Sequence, residues 1–390
     1  MKIILGMDSF YPTIEGPVIV LNNFASIMAQ TNDVVVMVPS YGKKINAEVE
    51  KEKKFSYQVR RVKAFHELIS NYHCATPFFD KKLKKYMKEE QIDIVHLHSP
   101  FEMSKSLFKL AKKRHIPTVM TFHTKFKDEF IRYTHSKTIT KFLMHYIMKN
   151  INRADYVYTV SEGAKKTLME YGYKKPIYVI KNGTDLTCPD NIKERKELID
   201  EKYGLKGQQN VFLFVGRIIA TKNLKLAFDA LKILKEKNYD FKFLVVGNGE
   251  DLEKFKEIVK ENNLENNVIF VGAISDRDLL KSFYLRSDLF LFPSVFDTAS
   301  LVPIEAATFS LPTLLVKNSP TSEIVSDNRN GYAEIEDAEA WAEKLISIIN
   351  NPKKHNLVRE FCKKEVYRTW NDVVTEMLNE YQTIIDENKK

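Results

Sequence analysis

Two carboxylates lie eight positions apart in a segment without any basic residue, FPSVFDTASLVPIEAATFSLPT, residues 292–313. An apolar run ending in Pro-Ser precedes Asp297, and a helix-like run with Pro303 and Glu305 follows it. Because proline favours the first turn of a helix, we expect the amides of residues 299–302 to be available to phosphate oxygens. One turn further in, the Glu305 carboxylate could hold ribose hydroxyls. Asp297 could hold the hydroxyls of a sugar, or cap the helix.

Two cations follow an earlier apolar run, in VFLFVGRIIATKN. Gly216 ends that run, and Arg217 and Lys222 lie five positions apart on a loop that enters a helix. Two cations beside helix-start amides suit a diphosphate, although ordinary surface cations would show the same spacing. The loop is therefore a candidate anion site.

Glycines follow two further strand-like runs. In KFLVVGNGED, Gly247, Asn248 and Gly249 permit either a simple turn or the close approach of a ligand to the backbone. In FYPTIEGPV, Glu15 and Gly16 lie in the loop between the first strand-like run and the first helix-like run. A plain Pro/Gly turn explains this loop equally well.

Three histidines come at the ends of strand-like runs in the N-terminal half of the chain. They are His96 and His98 in DIVHLHSP and His123 in TFHT. They follow no metal-binding pattern, because the sequence places neither an HExxH motif nor cysteine partners beside them. His123 is therefore either a ligand contact beyond the end of its strand or a hydrogen-bonded structural histidine.

All of these residues follow strands in a chain that alternates strand-like and helix-like segments. Short, nearly continuous apolar runs separated by amphipathic stretches are typical of parallel sheets with crossover helices. A polar seam at residues 182–210 separates two such series. The sequence therefore predicts an α/β protein with two doubly wound domains, residues 1–190 and 205–368, facing each other across a cleft. Ligands of such sheets bind beyond the carboxyl ends of the strands.

The charge of the chain is unevenly distributed. Residues 1–185 hold 31 Lys and Arg against 18 Asp and Glu, or +13, which leaves −4 of the total +9 for residues 186–390. The basic half could meet an anionic membrane, an anionic acceptor or nucleic acid, or serve only solubility. No uninterrupted apolar run of 18 residues and no signal-peptide pattern occur, so we expect a cytoplasmic protein without a transmembrane helix. Its three scattered cysteines are expected to be free thiols.

Taken together and in order, the motifs resemble the family-4 retaining glycosyltransferases of the GT-B fold. The resemblance rests on FYPTIEGPV, TFHT, VSEGAKK, KNGTD, GRIIATKN, VGNGED, SDLFLFPS, the paired acids and DNRNGY, and it covers nearly the whole chain. The C-terminal segment YRTWNDVVTEMLNEYQTI is similar to the family's helix that crosses back to the first domain, here at about residues 370–390. The chain looks most similar to members that glucosylate diacylglycerol or related lipids.

The chain departs from the family pattern at two places. The family's paired acids are Glu, seven residues, Glu; here the first is Asp297, and Thr298 to Leu301 read TASL where GFGL is common. Glu15, Gly16 and Pro17 replace the commoner Gly-Gly pair. These departures leave a degenerate member that binds without turnover as one alternative.

The resemblance implies a metal-independent retaining transfer without any cofactor, in which a nucleotide sugar lies mainly on the second domain. Arg217 and Lys222 would stabilise the leaving diphosphate, and Glu305 would hold the ribose. Asp297 and His123 would contact the transferred sugar. The remaining implied donor-binding residues are Gly16, Gly216, Gly247, Asn248, Ala299, Ser300, Leu301 and Val302.

The acceptor is predicted to be a membrane lipid such as diacylglycerol, and the donor a UDP-glucose-like nucleotide sugar. Residues 122–150 mix aromatic and aliphatic residues with Lys and Arg, as expected for an interfacial helix on an anionic leaflet or for a core-facing helix. Attachment to the inner face of the cell membrane follows as a hypothesis. A capsular or wall glycan is the alternative acceptor. A nucleic-acid-binding protein is disfavoured, because no recognisable module accompanies the basic charge.

Overall fold

The computed structural model describes residues 1–66, 73–297 and 299–389. The described chain divides into two compact units. The N-terminal unit is Met1–Asn182 together with the C-terminal segment from Trp370, and the C-terminal unit is Gly183–Thr369. Each unit is built around its own parallel sheet.

The N-terminal unit contains a seven-stranded parallel sheet and a short antiparallel hairpin. Its strands are β1 (Lys2–Gly6), β2 (Asp33–Pro39), β3 (Gln58–Val62), the hairpin pair β4 (Ala64–His66) and β5 (His73–Ala75), β6 (Ile94–Leu97), β7 (Thr118–Phe122), β8 (Tyr156–Thr159) and β9 (Tyr178–Val179). The sheet order is β3-β2-β1-β6-β7-β8-β9. The order reverses between β1 and β6, where ligands of doubly wound sheets bind.

Within the described residues, seven α-helices precede the boundary between the units, and they connect the parallel strands. They are α1 (Gly16–Met28), α2 (Lys43–Lys53), α3 (Lys81–Glu89), α4 (Glu102–Lys112), α5 (Phe126–Thr134), α6 (Lys137–Ile151) and α7 (Glu162–Glu170). Side-chain caps determine where several of them begin: Asp80, Ser136 and Ser161 each accept a hydrogen bond from a first-turn amide.

The expectation of one helix across residues 122–150 is wrong. Two helices, α5 and α6, occupy this segment. The chain turns between them because His135 adopts a left-handed backbone conformation with φ 48°. Ser136 then caps the second helix.

The C-terminal unit has a six-stranded parallel sheet in the order β12-β11-β10-β13-β14-β15. Its helices and strands are α8 (Ile192–Tyr203), β10 (Val211–Val215), α9 (Leu224–Glu236), β11 (Lys242–Val246), α10 (Leu252–Glu261), β12 (Val268–Gly272), α11 (Arg277–Arg286), β13 (Leu289–Phe292), α12 (Val302–Thr308), β14 (Thr313–Val316), β15 (Tyr332–Glu334), α13 (Ala338–Ile349) and α14 (Pro352–Glu365). Because β10 and β13 are neighbours, the loops that follow them meet at the switch point of this sheet.

The last helix, α15 (Trp370–Asn388), belongs to the N-terminal unit, where it packs against α1. Its Trp370 is buried and meets the Phe24 ring of α1 at a centroid distance of 6.0 Å. Further along the helix, the buried Tyr381 hydroxyl pairs with His96 at the end of β6. The predicted Rossmann-like domains and the return of the C-terminal helix to the first domain are confirmed.

Candidate functional site

The glycines after β10 and β11 hold two loops against each other. The Gly216 amide donates to the Val246 carbonyl at 3.0 Å, and the Ile218 amide donates to the Asn248 carbonyl at 2.9 Å. A Cβ on Gly247 would lie 1.9 Å from the Gly216 oxygen, and one on Gly249 would lie 2.1 Å from the Ile218 oxygen. Glycine is therefore required at positions 247 and 249 because the backbone of the neighbouring loop lies too close for a Cβ atom. The sequence alone could not show which group makes this close approach.

The two predicted cations follow this loop contact in different settings. Arg217 is exposed, whereas the short 3₁₀ turn Ala220–Lys222 brings Lys222 toward the end of β13. The Asp251 carboxylate holds the turn by accepting from the Ala220 amide at 2.6 Å. The Lys222 ammonium is half-buried and lies 5.5 Å from the centre of the Phe292 ring. Arg217 is thus accessible to solvent, whereas the turn holds Lys222 close to the end of β13.

Asp297 is the partner of Lys222. The ammonium donates to both carboxylate oxygens, at 2.7 and 2.8 Å, across 75 residues of sequence. Ser294, which is 1% exposed, donates to the same carboxylate at 2.5 Å. Thr321 holds the main chain by donating to the Asp297 carbonyl at 3.1 Å. The helix-cap alternative for Asp297 is wrong, because α12 begins later, after Leu301.

Glu305 lies in the first turn of α12, and its side chain is 12% exposed. The Tyr284 hydroxyl donates to Oε2 at 3.0 Å, and Arg277 approaches Oε1 at 3.4 Å. Arg277 also donates to Asp185 at 2.6 Å. Burial raises the pKa of the Glu305 carboxyl, while Arg277 and the Tyr284 hydrogen bond oppose that rise.

Both acids of the segment 292–313, Asp297 and Glu305, therefore have cationic partners. The segment itself contains no base, but Lys222 and Arg277 come from other elements of the same unit. Ser294, Arg277 and Tyr284 were missed, because nothing in their spacing distinguishes them from ordinary surface and core residues. Only the fold brings them to these carboxylates.

The remaining donor-binding candidates of this unit lie on the same two connections. Asn248 accepts the amide of its neighbour Gly249 through Oδ1 at 2.8 Å. Four half-buried residues precede or begin α12, namely Ala299, Ser300, Leu301 and Val302. Thr298 lies outside the described residues. That these residues contact a donor stays a prediction.

Two candidates belong to the N-terminal unit. Gly16 is the first residue of α1, and a Cβ added there would meet no atom within 4 Å. His123 directly follows β7 and is 7% exposed. Its Nε2 lies 2.9 Å from Nδ1 of His98, and burial lowers the pKa of His123 to about 3. The imidazole is therefore neutral at physiological pH.

Two family models match the chain, and together they span most of it. Residues 14–187 match the model described as "Glycosyltransferase Family 4", and residues 195–365 match "Glycosyl transferases group 1". The chain belongs to the family 4, group 1 glycosyltransferases. The predicted family is confirmed.

This glycosyltransferase is similar to characterised relatives at low identity. The alpha-monoglucosyldiacylglycerol synthase of Acholeplasma laidlawii is 25% identical over 80% of this chain and 80% of its own length. A protein of the same name from Streptococcus pneumoniae is 23% identical over 89% of this chain and 79% of its own length. An Escherichia coli UDP-Gal:alpha-D-GlcNAc-diphosphoundecaprenol alpha-1,3-galactosyltransferase is 26% identical over 75% of both chains.

Solved structures share the fold of this glycosyltransferase. HepE of Anabaena, in complex with UDP, superposes with a TM-score of 0.78 at 16% identity over 98% of this chain and all of its own. WaaG, a glycosyltransferase involved in lipopolysaccharide biosynthesis, has a TM-score of 0.69 at 16% identity over 97% of this chain and 99% of its own. The GT-B fold is thereby confirmed. None of the described helices combines the length and apolarity needed to cross a membrane.

Proposed function

We propose that this glycosyltransferase moves a hexose from a UDP-glucose-like donor to a hydroxyl of a membrane lipid such as diacylglycerol. The proposed transfer retains the anomeric configuration and needs no metal. The structures of HepE in complex with UDP and with UDP-glucose support the donor class. The names of the two alpha-monoglucosyldiacylglycerol synthases support the acceptor class.

The contact between Lys222 and Asp297 is the observation that carries the proposal. The two groups lie on the loops after β10 and β13, at the switch point where an α/β sheet binds its ligand. In the structure, the Asp297 carboxylate neutralises the Lys222 ammonium. A bound diphosphate would pair with the Lys222 ammonium and with the exposed Arg217. The Asp297 carboxylate would then be released from Lys222 and could accept hydrogen bonds from sugar hydroxyls.

Glu305 would also exchange a contact within the protein for contacts with the donor, and in this way it would hold the ribose. Its Oε2 is already engaged by Tyr284, whereas the contact of Oε1 with Arg277 is long, at 3.4 Å. Two ribose hydroxyls can replace that weak contact, because a carboxylate accepts several hydrogen bonds. Arg277 would keep its 2.6 Å ion pair with Asp185.

In the proposed step, the acceptor oxygen bonds to the anomeric carbon while the bond from that carbon to the diphosphate breaks. Both events occur on the same face of the sugar, so the configuration is retained. The acceptor proton passes to the departing phosphate, which Arg217 and Lys222 stabilise. His123, neutral in its buried setting, would bind the sugar rather than act as the general base.

The first experiment screens the donor. Thermal unfolding is measured with UDP, GDP and ADP, and then with their sugars, since a ligand of the folded state raises the apparent stability. UDP and UDP-glucose are expected to raise the midpoint. Lys222→Gln should abolish that rise, whereas Lys225→Gln should preserve it, because the exposed Lys225 pairs with Asp229 on its own helix. Equal responses of the two variants would refute the site.

The second experiment tests transfer. Radiolabelled UDP-glucose is incubated with vesicles that contain diacylglycerol, and the label is extracted into organic solvent. Extraction of an α-glucoside by the wild type supports the lipid acceptor and retention, and activity in EDTA supports metal independence. Donor binding without any turnover would indicate the degenerate alternative.

A membrane-facing surface on the N-terminal unit would accompany a lipid acceptor. Exposed aromatic rings occur on α5, on α6 and before α3: Tyr133 (66%), Phe142 (72%), Phe78 (62%) and Phe79 (70%). Lysines accompany these rings, and the Lys84 ammonium lies 4.3 Å from the centre of the Phe78 ring. Aromatic rings with lysines suit the interface of an anionic leaflet.

Flotation with phosphatidylglycerol vesicles tests this surface. We expect binding that weakens with salt and that Phe142→Ser reduces. Leu357→Ser is the matched control, because Leu357 is 56% exposed on the other unit. Absence of salt-sensitive binding, or equal loss in both variants, would reject peripheral attachment.

A glycan acceptor is the second candidate, and the name of the Escherichia coli galactosyltransferase favours it. That name describes an acceptor sugar on a polyprenol diphosphate. Incubation with a GlcNAc-diphosphate-lipid in place of diacylglycerol distinguishes the two acceptors. Transfer to the glycan alone would replace the diacylglycerol proposal while preserving the donor site.

A further inference from the structure

The two oxygens of the Glu305 carboxylate have protein donors of unequal quality. The Tyr284 hydroxyl donates to Oε2 at 3.0 Å, whereas Nη2 of Arg277 lies 3.4 Å from Oε1. The Arg277 contact is longer than an ordinary N–H···O hydrogen bond. Oε1 is therefore the oxygen that gains more from a hydroxyl of a ligand.

Two other residues hold Arg277 beside Glu305. Its Nη2 also donates to Oδ1 of Asp185 at 2.6 Å, in a charge-assisted bond, and this nitrogen carries two hydrogens that can serve both carboxylates. Arg277 is the first residue of α11, where the Asp276 side chain caps the helix by accepting from two first-turn amides. The Arg277 side chain is 47% exposed, yet these contacts keep its charged end close to Oε1.

The burial of Glu305 makes a missing hydrogen bond costly. Its side chain is 12% exposed, and a nucleoside that binds there would exclude the remaining water. A buried carboxylate oxygen that loses its donor costs more than the hydrogen bond itself contributes, because the desolvation is no longer compensated. A ribose that lacks one hydroxyl would impose this cost unless the protein supplies another donor.

We propose that Arg277 is a specificity-determining residue that supplies this donor, so that the site accepts deoxyribonucleoside diphosphate sugars as well as ribonucleoside diphosphate sugars. The proposal rests on the proposed function, in which Glu305 holds the ribose. With ribose, a hydroxyl replaces Arg277 at Oε1, and Arg277 keeps its ion pair with Asp185. With deoxyribose, Arg277 stays at Oε1 and Tyr284 stays at Oε2, so both carboxylate oxygens keep a protein donor.

The expected discrimination depends on which donors each complex keeps. A hydrogen bond to a charged group contributes about ten- to a hundredfold to an affinity when nothing replaces it. Because Arg277 stays at Oε1, the affinity for a deoxynucleotide should be lower than that for UDP by about tenfold or less. When Arg277 is removed, the difference should grow to about a hundredfold.

Titration calorimetry of the full chain with UDP, 2′-deoxy-UDP and 3′-deoxy-UDP tests this difference. Both deoxynucleotides are used because either hydroxyl can be the one that faces Oε1. The wild type should bind each of them no more than about tenfold more weakly than UDP, whereas Arg277→Met should bind one of them about a hundredfold more weakly. Measurement at pH 8 keeps the Glu305 carboxylate ionised, because burial raises its pKa and Arg277 opposes that rise.

The ratio of the two affinities within one protein is unaffected by a partly unfolded variant. Arg195→Met is the matched control, because Arg195 also forms a 2.6 Å ion pair with an acid in the first turn of α11, Asp278. It should keep the wild-type ratios. Equal ratios in the wild type and Arg277→Met, or a hundredfold loss already in the wild type, would overturn this proposal alone.

Turnover is the second readout. In the transfer assay, the wild type should use 2′-deoxy-UDP-glucose with a kcat/KM no more than about tenfold below that for UDP-glucose. A wild type that uses UDP-glucose but not the deoxy donor would also overturn this proposal alone. A wild type that binds no UDP would instead refute the proposed donor site and this proposal with it.

Discussion

The substitution Gly247→Ala would distinguish two reasons for a glycine after β11, namely packing against the neighbouring backbone and the close approach of a ligand. Its Cβ would lie 1.9 Å from the Gly216 oxygen and 3.0 Å from the carbonyl carbon. Real Cβ contacts essentially never fall under 3.0 Å, so the two loops must move apart by at least 1.1 Å (3.0 − 1.9). The φ of 147° at this position also disfavours any side chain.

The expected loss of stability follows from the bonds that this movement breaks. The Gly216 and Ile218 amides each lose a backbone hydrogen bond, at about 0.5–1.5 kcal/mol apiece. Backbone strain adds about 1–3 kcal/mol. The free energy of unfolding should therefore fall by about 4 kcal/mol, which lowers Tm by roughly 8–16 °C for a domain of this size.

Thermal and urea unfolding measure this loss, and calorimetric titration with UDP measures binding below the lowered Tm. Gly16→Ala is the control, because a Cβ there meets no atom within 4 Å and φ is unstrained. Its free energy of unfolding should change by no more than about 0.5 kcal/mol. A Gly247→Ala protein of unchanged Tm that no longer binds UDP would refute the packing argument and restore ligand approach as the reason for the glycine.

Three further predictions concern the carboxylates and the buried histidines His96, His98 and His123. Ser294→Ala removes the 2.5 Å hydrogen bond to the Asp297 carboxylate, so the free energy of unfolding, measured with urea, should fall by about 1.5–3 kcal/mol. Tyr284→Phe removes a hydrogen-bond donor to Glu305 and therefore raises the pKa of that carboxyl further. The loss of UDP affinity at low pH, measured by titration calorimetry, should then begin at a higher pH. The pKa values of these histidines are lower in the folded state than the ordinary 6.5, so the stability that their neutrality contributes is present above pH 6.5 and is lost as pH falls toward about 3. Urea unfolding at pH 7 and pH 5 checks this loss.

Two controls accompany these predictions: one for the loss of a buried hydroxyl, and one for the titration of another buried group, Asp8. Ser287→Ala also removes a buried hydroxyl, which donates to the Phe283 carbonyl in the last turn of α11, and it should leave UDP affinity unchanged. Burial raises the pKa of Asp8 to about 6, so its contribution is lost as pH rises from about 4, opposite in sign to that of the histidines. The histidine effect is therefore the difference between the wild type and His98→Phe. No difference between them would contradict neutral imidazoles at His96, His98 and His123.

The alternation of apolar runs and amphipathic stretches determined the fold class. Runs such as KIILG and VFLFV, buried along nearly their whole length in the structure, are readable as covered parallel strands because both faces of such strands are apolar. The order of the motifs identified the family, and the rule that ligands bind beyond strand ends selected the loops that carry Arg217, Lys222 and Asp297.

Only the tertiary structure decided what these side chains contact. Asp297 and Glu305 stand in a segment without a base, yet Lys222 reaches the first from 75 residues away and Arg277 approaches the second. Gly247 is needed because another loop's carbonyl lies where its Cβ would be. Local sequence encodes the periodicity of strands and helices, whereas these pairings depend on strand order, which brings distant loops to one edge of the sheet.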